Sequence, residues 1–251
     1  MAGTSQHRFL MCRPSHFQVT YQANPWMDLS SQPDPTRAMA QWEHLKKTIE
    51  SCGAGVDVIE QADNLPDMVF SANCGLVREN MVYIANFHYK ERQPEREHYE
   101  KWFNENGFQV FGDREYFFEG TGDALFAGHT LFAGYGYRSD PAVYQEVLAA
   151  VSSPKSAKKD AKTNDSNEMD IELVSLKLTD PRFYHLDTCF CPLTPDLALW
   201  YPPAFDPSDR QKLEKAIKLI AVNEADALSF ACNCFPIGQH VIIPPGIRSH
   251  S

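Results

Sequence analysis

The sequence predicts an α/β fold of five ββαβ units, a five-bladed α/β-propeller around a pseudo-fivefold axis, with the fifth repeat incomplete. The first observation is that five short segments resemble one another. They are Asn24-Pro-Trp-Met, Phe70-Ser-Ala-Asn73-Cys-Gly, Phe118-Glu119-Gly-Thr-Gly-Asp123, Tyr184-His185-Leu-Asp187-Thr and Phe230-Ala-Cys-Asn233-Cys. Each puts a polar residue at the end of an apolar run. The spacing is 49 residues from Asn24 to Asn73, 50 from Asn73 to Asp123 and 48 from His185 to Asn233. Self-similarity at a fixed period of roughly 20–50 residues marks repeat and propeller architectures. The second observation is that the order strand, strand, helix, strand recurs between the copies.

In the first copy, Asp34-Pro35 opens a helix that runs to about Glu50. Aspartate suits the N-cap, and proline suits the first helical position, where a missing N–H costs little. In the second copy, residues 67–72 read as a strand, Arg78-Glu79-Asn80 as a polar turn and 81–85 as the next strand. A helix over 95–104 and a strand over 108–111 complete it. The third copy has a strand at 130–134 and a helix at 140–151, with Asp140 at the N-cap and Pro141 after it. The fourth has a strand at 198–201 and a helix from Ser208 to about Ala221, with Leu213, Ile217 and Ile220 at helical spacing. The fifth has a strand around Phe230 and another at 240–243, with no room for a helix and a third strand. Such a half blade is expected to expose strand edge and apolar surface. Residues 152–170 are rich in Lys, Ser, Asp and Asn without apolar periodicity, so they are expected to form a disordered surface loop. The whole chain, 1–251, reads as one domain.

The formal net charge is −10, and no long basic patch argues for a phosphate-backbone partner. No run approaches the ~20 apolar residues of a membrane span. The N-terminus lacks a charged start followed by an apolar segment, so a cytoplasmic protein is expected. The seven cysteines, an odd number, then read as reduced thiols. Cys189-Phe-Cys191 and Cys232-Asn-Cys234 offer four thiolates for zinc, but their spacing departs from the usual C-x₂-C knuckle. No metal and no cofactor is expected.

Two motifs carry chemistry. In Glu119-Gly-Thr-Gly-Asp123 the glycines let backbone approach a ligand while two carboxylates face one space. In His185-Leu-Asp187, positions i and i+2 of a strand would share a face, so imidazole and carboxylate could act together as base and orienting group. Asp67 adds a third carboxylate. Acids converging without a basic counterpart point to a cationic ligand.

Leu65-Pro66-Asp67-Met-Val-Phe-Ser-Ala-Asn73, Phe118-Glu119-Gly-Thr-Gly-Asp123 and His185-Leu-Asp187-Thr together resemble the motif set of the guanidino-group-modifying enzymes. The similarity is to the dimethylarginine dimethylaminohydrolase family and its arginine-dihydrolase-like relatives, and it covers nearly the whole chain outside the insert. It implies the five-bladed pentein fold and a hydrolase acting on arginine or a methylated arginine. It also implies a covalent mechanism, in which a cysteine thiolate attacks the guanidinium carbon and His185 serves as acid and base. Glu119 and Asp187 are the residues expected to grip the guanidinium, with Asp67, Asn73 and Asp123 beside them. Asn24 matches an asparagine that lines the site in the arginine-dihydrolase branch. Arg92 and Arg138 are expected to bind the α-carboxylate. Ala72-Asn73 stands where the dimethylarginine branch carries an acidic pair, which leaves the substrate open. The family's nucleophile lies near the C-terminus, and no cysteine follows Cys234. The expectation is therefore a chain whose nucleophile is missing. Cys232 or Cys234 as a substitute, and an inactive member that binds a ligand or partner, are the alternatives.

Overall fold

The computed structural model describes residues 7–152 and 171–247. The predicted loop at 152–170 lies outside the described residues apart from Ser152. β1 (Arg8–Cys12) pairs in parallel with β2 (Gly55–Ile59), and α1 (Pro35–Ser51) forms the crossover. Asp34 caps α1 as predicted, its carboxylate accepting the Arg37 N–H at 2.8 Å. Between β1 and α1, residues 13–34 form a long strap without helix or strand.

The next three units repeat one plan. β3 (Gly75–Arg78) and β4 (Met81–Ile84) are antiparallel, and β5 (Gln109–Phe111) joins β4 in parallel after α2 (Glu95–Glu105). β6 (Ala124–Ala127), β7 (Thr130–Tyr135), α3 (Val143–Val151) and β8 (Glu172–Lys177) follow in the same order. So do β9 (Phe190–Thr194), β10 (Leu197–Trp200), α4 (Pro207–Ala216) and β11 (Lys218–Ala221). A two-residue turn suffices for the antiparallel pair, whereas the parallel pair needs the helical crossover. At the β3–β4 turn Glu79 takes φ 56°, the conformation such tight hairpins require. After α5 (Glu224–Leu228), β12 (Phe235–Ile237) and β13 (His240–Ile242) form a final hairpin. Five sheets are therefore present among the described residues. No helix among them is long and apolar enough to cross a membrane.

Several elements differ from the sequence reading, each for a local reason. The first unit is strand, helix, strand, and Asn24 lies on the strap rather than at a strand end. Residues 67–72 are not a strand. They fall in two 3₁₀ turns, Pro66–Val69 and Ser71–Cys74, and the strand begins at Gly75. α3 starts at Val143 because the Asp140 carboxylate accepts the Phe117 N–H at 2.8 Å instead of capping the helix. α4 ends at Ala216. Lys218–Ala221 after it pairs in parallel with β10 and forms β11, so Ile220 pairs with Leu199 rather than extending a helical stripe. Phe230 sits in a turn at φ 59°, not in a strand.

The repeated segments are equivalent in another way. In four of them, all but the Asn24 segment, the polar residues lie at one-turn bends just before the first strand of a sheet. The bends close by Asn73 N–H to Phe70 O, Asp123 N–H to Gly120 O, Thr188 N–H to His185 O and Asn233 N–H to Phe230 O. Apolar cores fix these bends in place. Val82, Ile84, Tyr99 and Phe103 pack with Cys12 and Ile59 between the first two sheets. Phe118, Leu131, Tyr144 and Val147 fill the space between the second and third. Phe132, Phe190, Trp200 and Phe205 do so between the third and fourth. Met11 and Ile49 of the first unit pack on Ile237 of the last hairpin. Each side chain of this size contributes about 1.5–3 kcal/mol when fully buried.

Candidate active site

Three of the bends meet: Ser71–Cys74, Gly120–Gly122 and Leu186–Thr188. Two glycines allow the contact. A Cβ on Gly120, at φ +60°, would stand 2.6 Å from the Gly75 nitrogen. A Cβ on Gly122 would stand 2.3 Å from Asn73 Nδ2 and 3.1 Å from His185 Nδ1. Asn73 and His185 therefore pack on a bare glycine backbone.

His185 is the centre of the cluster. Its Nε2 lies 3.2 Å from Glu119 Oε2 and its Nδ1 lies 3.2 Å from Asp123 Oδ1. The Nδ1 contact is off the line of a straight hydrogen bond, so the pair is held as an ion contact. Asn73 Nδ2 lies 3.5 Å from Nε2. Burial alone would depress the imidazolium, but Asp123 and Glu119 outweigh it and push the pKa up to about 9. Asp123 is itself fixed, its Oδ2 accepting from Ser139 Oγ at 2.7 Å and its Oδ1 from the Leu186 N–H at 3.2 Å.

Glu119 is fully buried. Its Oε1 accepts the His88 N–H at 3.1 Å, and its Oε2 accepts Arg138 Nη1 at 3.0 Å. Burial opposes its charge, yet His185, Arg138 and Arg92 hold it far below the usual carboxylate range. Arg138 is sandwiched between the rings of Tyr89 and Tyr184, each centroid 4.7 Å from its guanidinium carbon. Its Nη2 donates to Ala23 O of the strap at 2.9 Å. Arg92 forks onto Glu95 at 2.9 and 3.0 Å, and donates to Asn73 Oδ1 at 3.0 Å and Asp67 O at 3.2 Å. The expected cluster of acids without a basic counterpart is thus corrected. Arg92 and Arg138, distant in sequence from most of these carboxylates, are buried among them.

The remaining sequence-selected residues fall around this centre. Asp67 Oδ2 accepts from Tyr21 Oη of the strap, while its Oδ1 is buried without a hydrogen-bond partner. Asn24 is half-buried and its side-chain oxygen accepts the Trp26 N–H at 2.9 Å. Asp187 does not pair with His185. The chain turns into a 3₁₀ bend after His185, and side chains two apart then diverge instead of sharing a strand face. Asp187 is half-buried beside Asn233, and burial, reinforced by Asp123, raises its pKa to about 7 against the opposing pull of His185. Sequence reasoning missed Ser139, Tyr89, Tyr21 and Glu95. Only Ser139, next to Arg138, carried a positional hint.

The strap closes over this centre. Besides Tyr21 and Ala23, Trp26 Nε1 donates to Arg182 O at 2.8 Å and its ring meets Phe230 at 5.0 Å. A cleft of about 480 Å³ opens beside the strap, lined by His16, Gln18, Thr20, Asp63, Asn64 and Pro66, and none of the central residues line it. Among the described residues the four cysteines of the two C-x-C segments do not converge as a metal site; the group with ligand-like spacing is Asp113, Glu115 and Glu146.

Comparison with known proteins gives this geometry a family. The crystal structure of the N-terminal domain of ArgZ, a cyanobacterial arginine dihydrolase, as a cysteine-to-serine mutant bound to substrate, superposes with a TM-score of 0.82 at 42% identity, over 93% of this chain and 82% of that one. The fold is therefore the α/β fold of the arginine-dihydrolase class. The model of the eukaryotic N,N dimethylarginine dimethylhydrolase family matches residues 13–243, and the chain belongs to that family. Bifunctional arginine dihydrolase/ornithine cyclodeaminase ArgZ of Synechocystis is 45% identical over 246 residues, which cover 94% of this chain and 32% of that protein. N(G),N(G)-dimethylarginine dimethylaminohydrolase of Mycobacterium tuberculosis is 37% identical over 238 residues, 94% of this chain and 72% of that protein. The chain thus spans about a third of the length of the first relative and under three quarters of the second.

Proposed function

We propose that the chain acts on the guanidino group of arginine or a methylated arginine, and that Glu119, His185 and Asp123 carry the chemistry. The supporting observation is the unbroken line of contacts from Asp123 through His185 to Glu119 in a site closed to water. A guanidinium is planar and cationic, and a buried carboxylate kept ionised both orients it and disperses its charge. An imidazolium with a pKa near 9 is protonated at neutral pH and suits the acid role. The resemblance implies a thiolate that adds to the central carbon. Among the described residues no cysteine sulfur hydrogen-bonds the His185 ring. The part assigned to this chain's own residues is therefore proton transfer, in which the amine expelled from such an adduct takes the His185 proton. Water then attacks the amidino-thioether, His185 takes its proton, and the thiolate leaves. Asp123 orients the ring throughout. Asp187 and Asn24 stand at the rim as further substrate contacts, with Asp67 and Asn73 beside them. Arg138 is the better placed carboxylate ligand, since Arg92 already uses four donor contacts on Glu95, Asn73 and Asp67. Asn73 after Ala72 favours arginine over its dimethylated form. The same reading takes the five sheets as blades of a propeller, supported by the apolar cores between successive sheets and between the last hairpin and the first unit.

A second reading, ligand binding without turnover, is favoured by one observation. The His185 ring contacts Glu119, Asp123 and Asn73, while the adjacent thiol, Cys189, donates to the main-chain carbonyls of His185 and Leu186. The test is release of citrulline or ornithine from arginine and from dimethylarginine, run beside calorimetric titration of each compound. Turnover abolished by His185→Ala supports hydrolysis. Binding without turnover supports the second reading. Neither binding nor turnover overturns both.

A further inference from the structure

Away from the His185 centre, the fold brings two of its seven cysteines together. Cys191 lies on β9 and Cys234 immediately precedes β12, which packs on β9. The Cys191 sulfur is 3.0 Å from the main-chain oxygen of Cys234. It also lies 3.6 Å from the main-chain oxygen of Pro192. Neither is in a disulfide. Their surroundings differ. Cys191 is buried, 4% exposed, in the sheet, while Cys234 is half-buried in the turn that leads into the hairpin.

We infer that Cys191 and Cys234 form a thiol-redox site, in which Cys234 is the attacking thiol and Cys191 the resolving thiol. The role of each follows from access. Cys234 is the more accessible of the two, and the neighbouring Cys191 thiol lowers its pKa below the ordinary thiol value. The neighbouring Cys234 is the largest cause that raises the pKa of Cys191, and burial is the next. The co-reactant is an oxidised low-molecular-weight disulfide. The Cys234 thiolate attacks one of its sulfurs, forms a mixed disulfide and releases one small thiol. Cys191 then gives up its proton and attacks the Cys234 sulfur, releasing the second small thiol and closing the protein disulfide. Two protein thiols are oxidised and one small disulfide is reduced, so atoms and electrons balance.

The site has a structural reach. The turn that carries Cys234 also carries Asn233, whose Nδ2 donates to Asp187 O at 3.2 Å, and Phe230, whose ring meets Trp26 of the strap. A bond from Cys234 to β9 would tie that turn to the sheet beside the Leu186–Thr188 bend.

The experiment incubates the folded full chain with glutathione disulfide, quenches with an alkylating reagent and maps the peptides by mass. The expected product is an intramolecular bond between the Cys191 and Cys234 peptides, with the other five thiols alkylated and the intact mass lower by two hydrogens. Cys191→Ser is expected to trap glutathione on Cys234, whereas Cys234→Ser leaves Cys191 largely unmodified, at least tenfold less than the trapped form. Bonding of either residue to a different cysteine, equal trapping in the two variants, or seven alkylated thiols after prolonged oxidation would each overturn the proposal. The peptide map uses the unaltered chain, so a variant that fails to fold does not blunt the test.

Discussion

Removing the proton from His185 should cost the chain stability in a defined pH window. The folded pKa is about 9 and the ordinary value is 6.5. At about 1.4 kcal/mol per unit, the difference amounts to roughly 3 kcal/mol. Between those two pH values the native chain holds a proton that the unfolded chain has released. The contribution is therefore fully present below pH 6.5 and is lost as pH rises through about 9. It is the same interaction that depresses Glu119, so it is counted once. Glu95 and Asp187, both raised to about 7, lose their proton-linked contribution between the usual carboxylate range and pH 7. Cys234, lowered, acts with the opposite sign at alkaline pH and is removed by Cys234→Ser. In that background the imidazole resonance of His185 should titrate near 9, and urea melts should lose more than about 2 kcal/mol between pH 7 and pH 9.5, since the raised thiols of Cys12, Cys74, Cys189, Cys191 and Cys232 add to the loss with the same sign. Glu119→Gln should lower that midpoint by about a unit or more and shrink the loss, because Asp123 alone then holds the imidazolium. A wild-type midpoint at or below 6.5, or the same midpoint in Glu119→Gln, would refute the reasoning.

Three further outcomes follow from the geometry. Gly122→Ala should lose about 1–3 kcal/mol in chemical denaturation and abolish ligand binding, because its methyl displaces the Asn73 amide and crowds His185. Ser139→Ala strips the Asp123 carboxylate and the Glu119 N–H of one partner each, and should cost about 1–3 kcal/mol; an unchanged melt would mean water replaces the hydroxyl at no cost. Asp34→Ala should cost about 1 kcal/mol through loss of the α1 cap, with the pH dependence of His185 unmoved.

The repeat was legible because four of the five sheets are preceded by the same one-turn bend, and the bend needs small or polar residues at fixed places. Asp34-Pro35 announced α1 because cap and helix are neighbours in sequence. The identical logic failed at Asp140, whose carboxylate is taken by Phe117 from another segment. Ile217 and Ile220 fitted a helix by spacing, but pairing with β10 overrode local periodicity. At the site, the motif residues Glu119, Asp123 and His185 were visible, while their pairing was not. A strand face would join His185 to Asp187. The real partner, Asp123, is 62 positions away, and only the turn geometry brings it there. Arg92 was indistinguishable from a surface arginine, because burial of a charge depends on Glu95 and Asn73 arriving around it.

The strap bears on how quickly the site can exchange its contents. Glu119, Arg138 and His185 are at most 5% exposed, so nothing the size of an amino acid reaches them until chain moves aside. The contacts that hold the strap down are also the ones a newcomer would claim: Arg138 binds Ala23 O, and Asp67 binds Tyr21. Arrival is thus an exchange of partners rather than the filling of a void. On-rates set by such an exchange fall below the diffusional limit and saturate at the opening rate of the strap. Once the strap recloses, the same contacts delay departure.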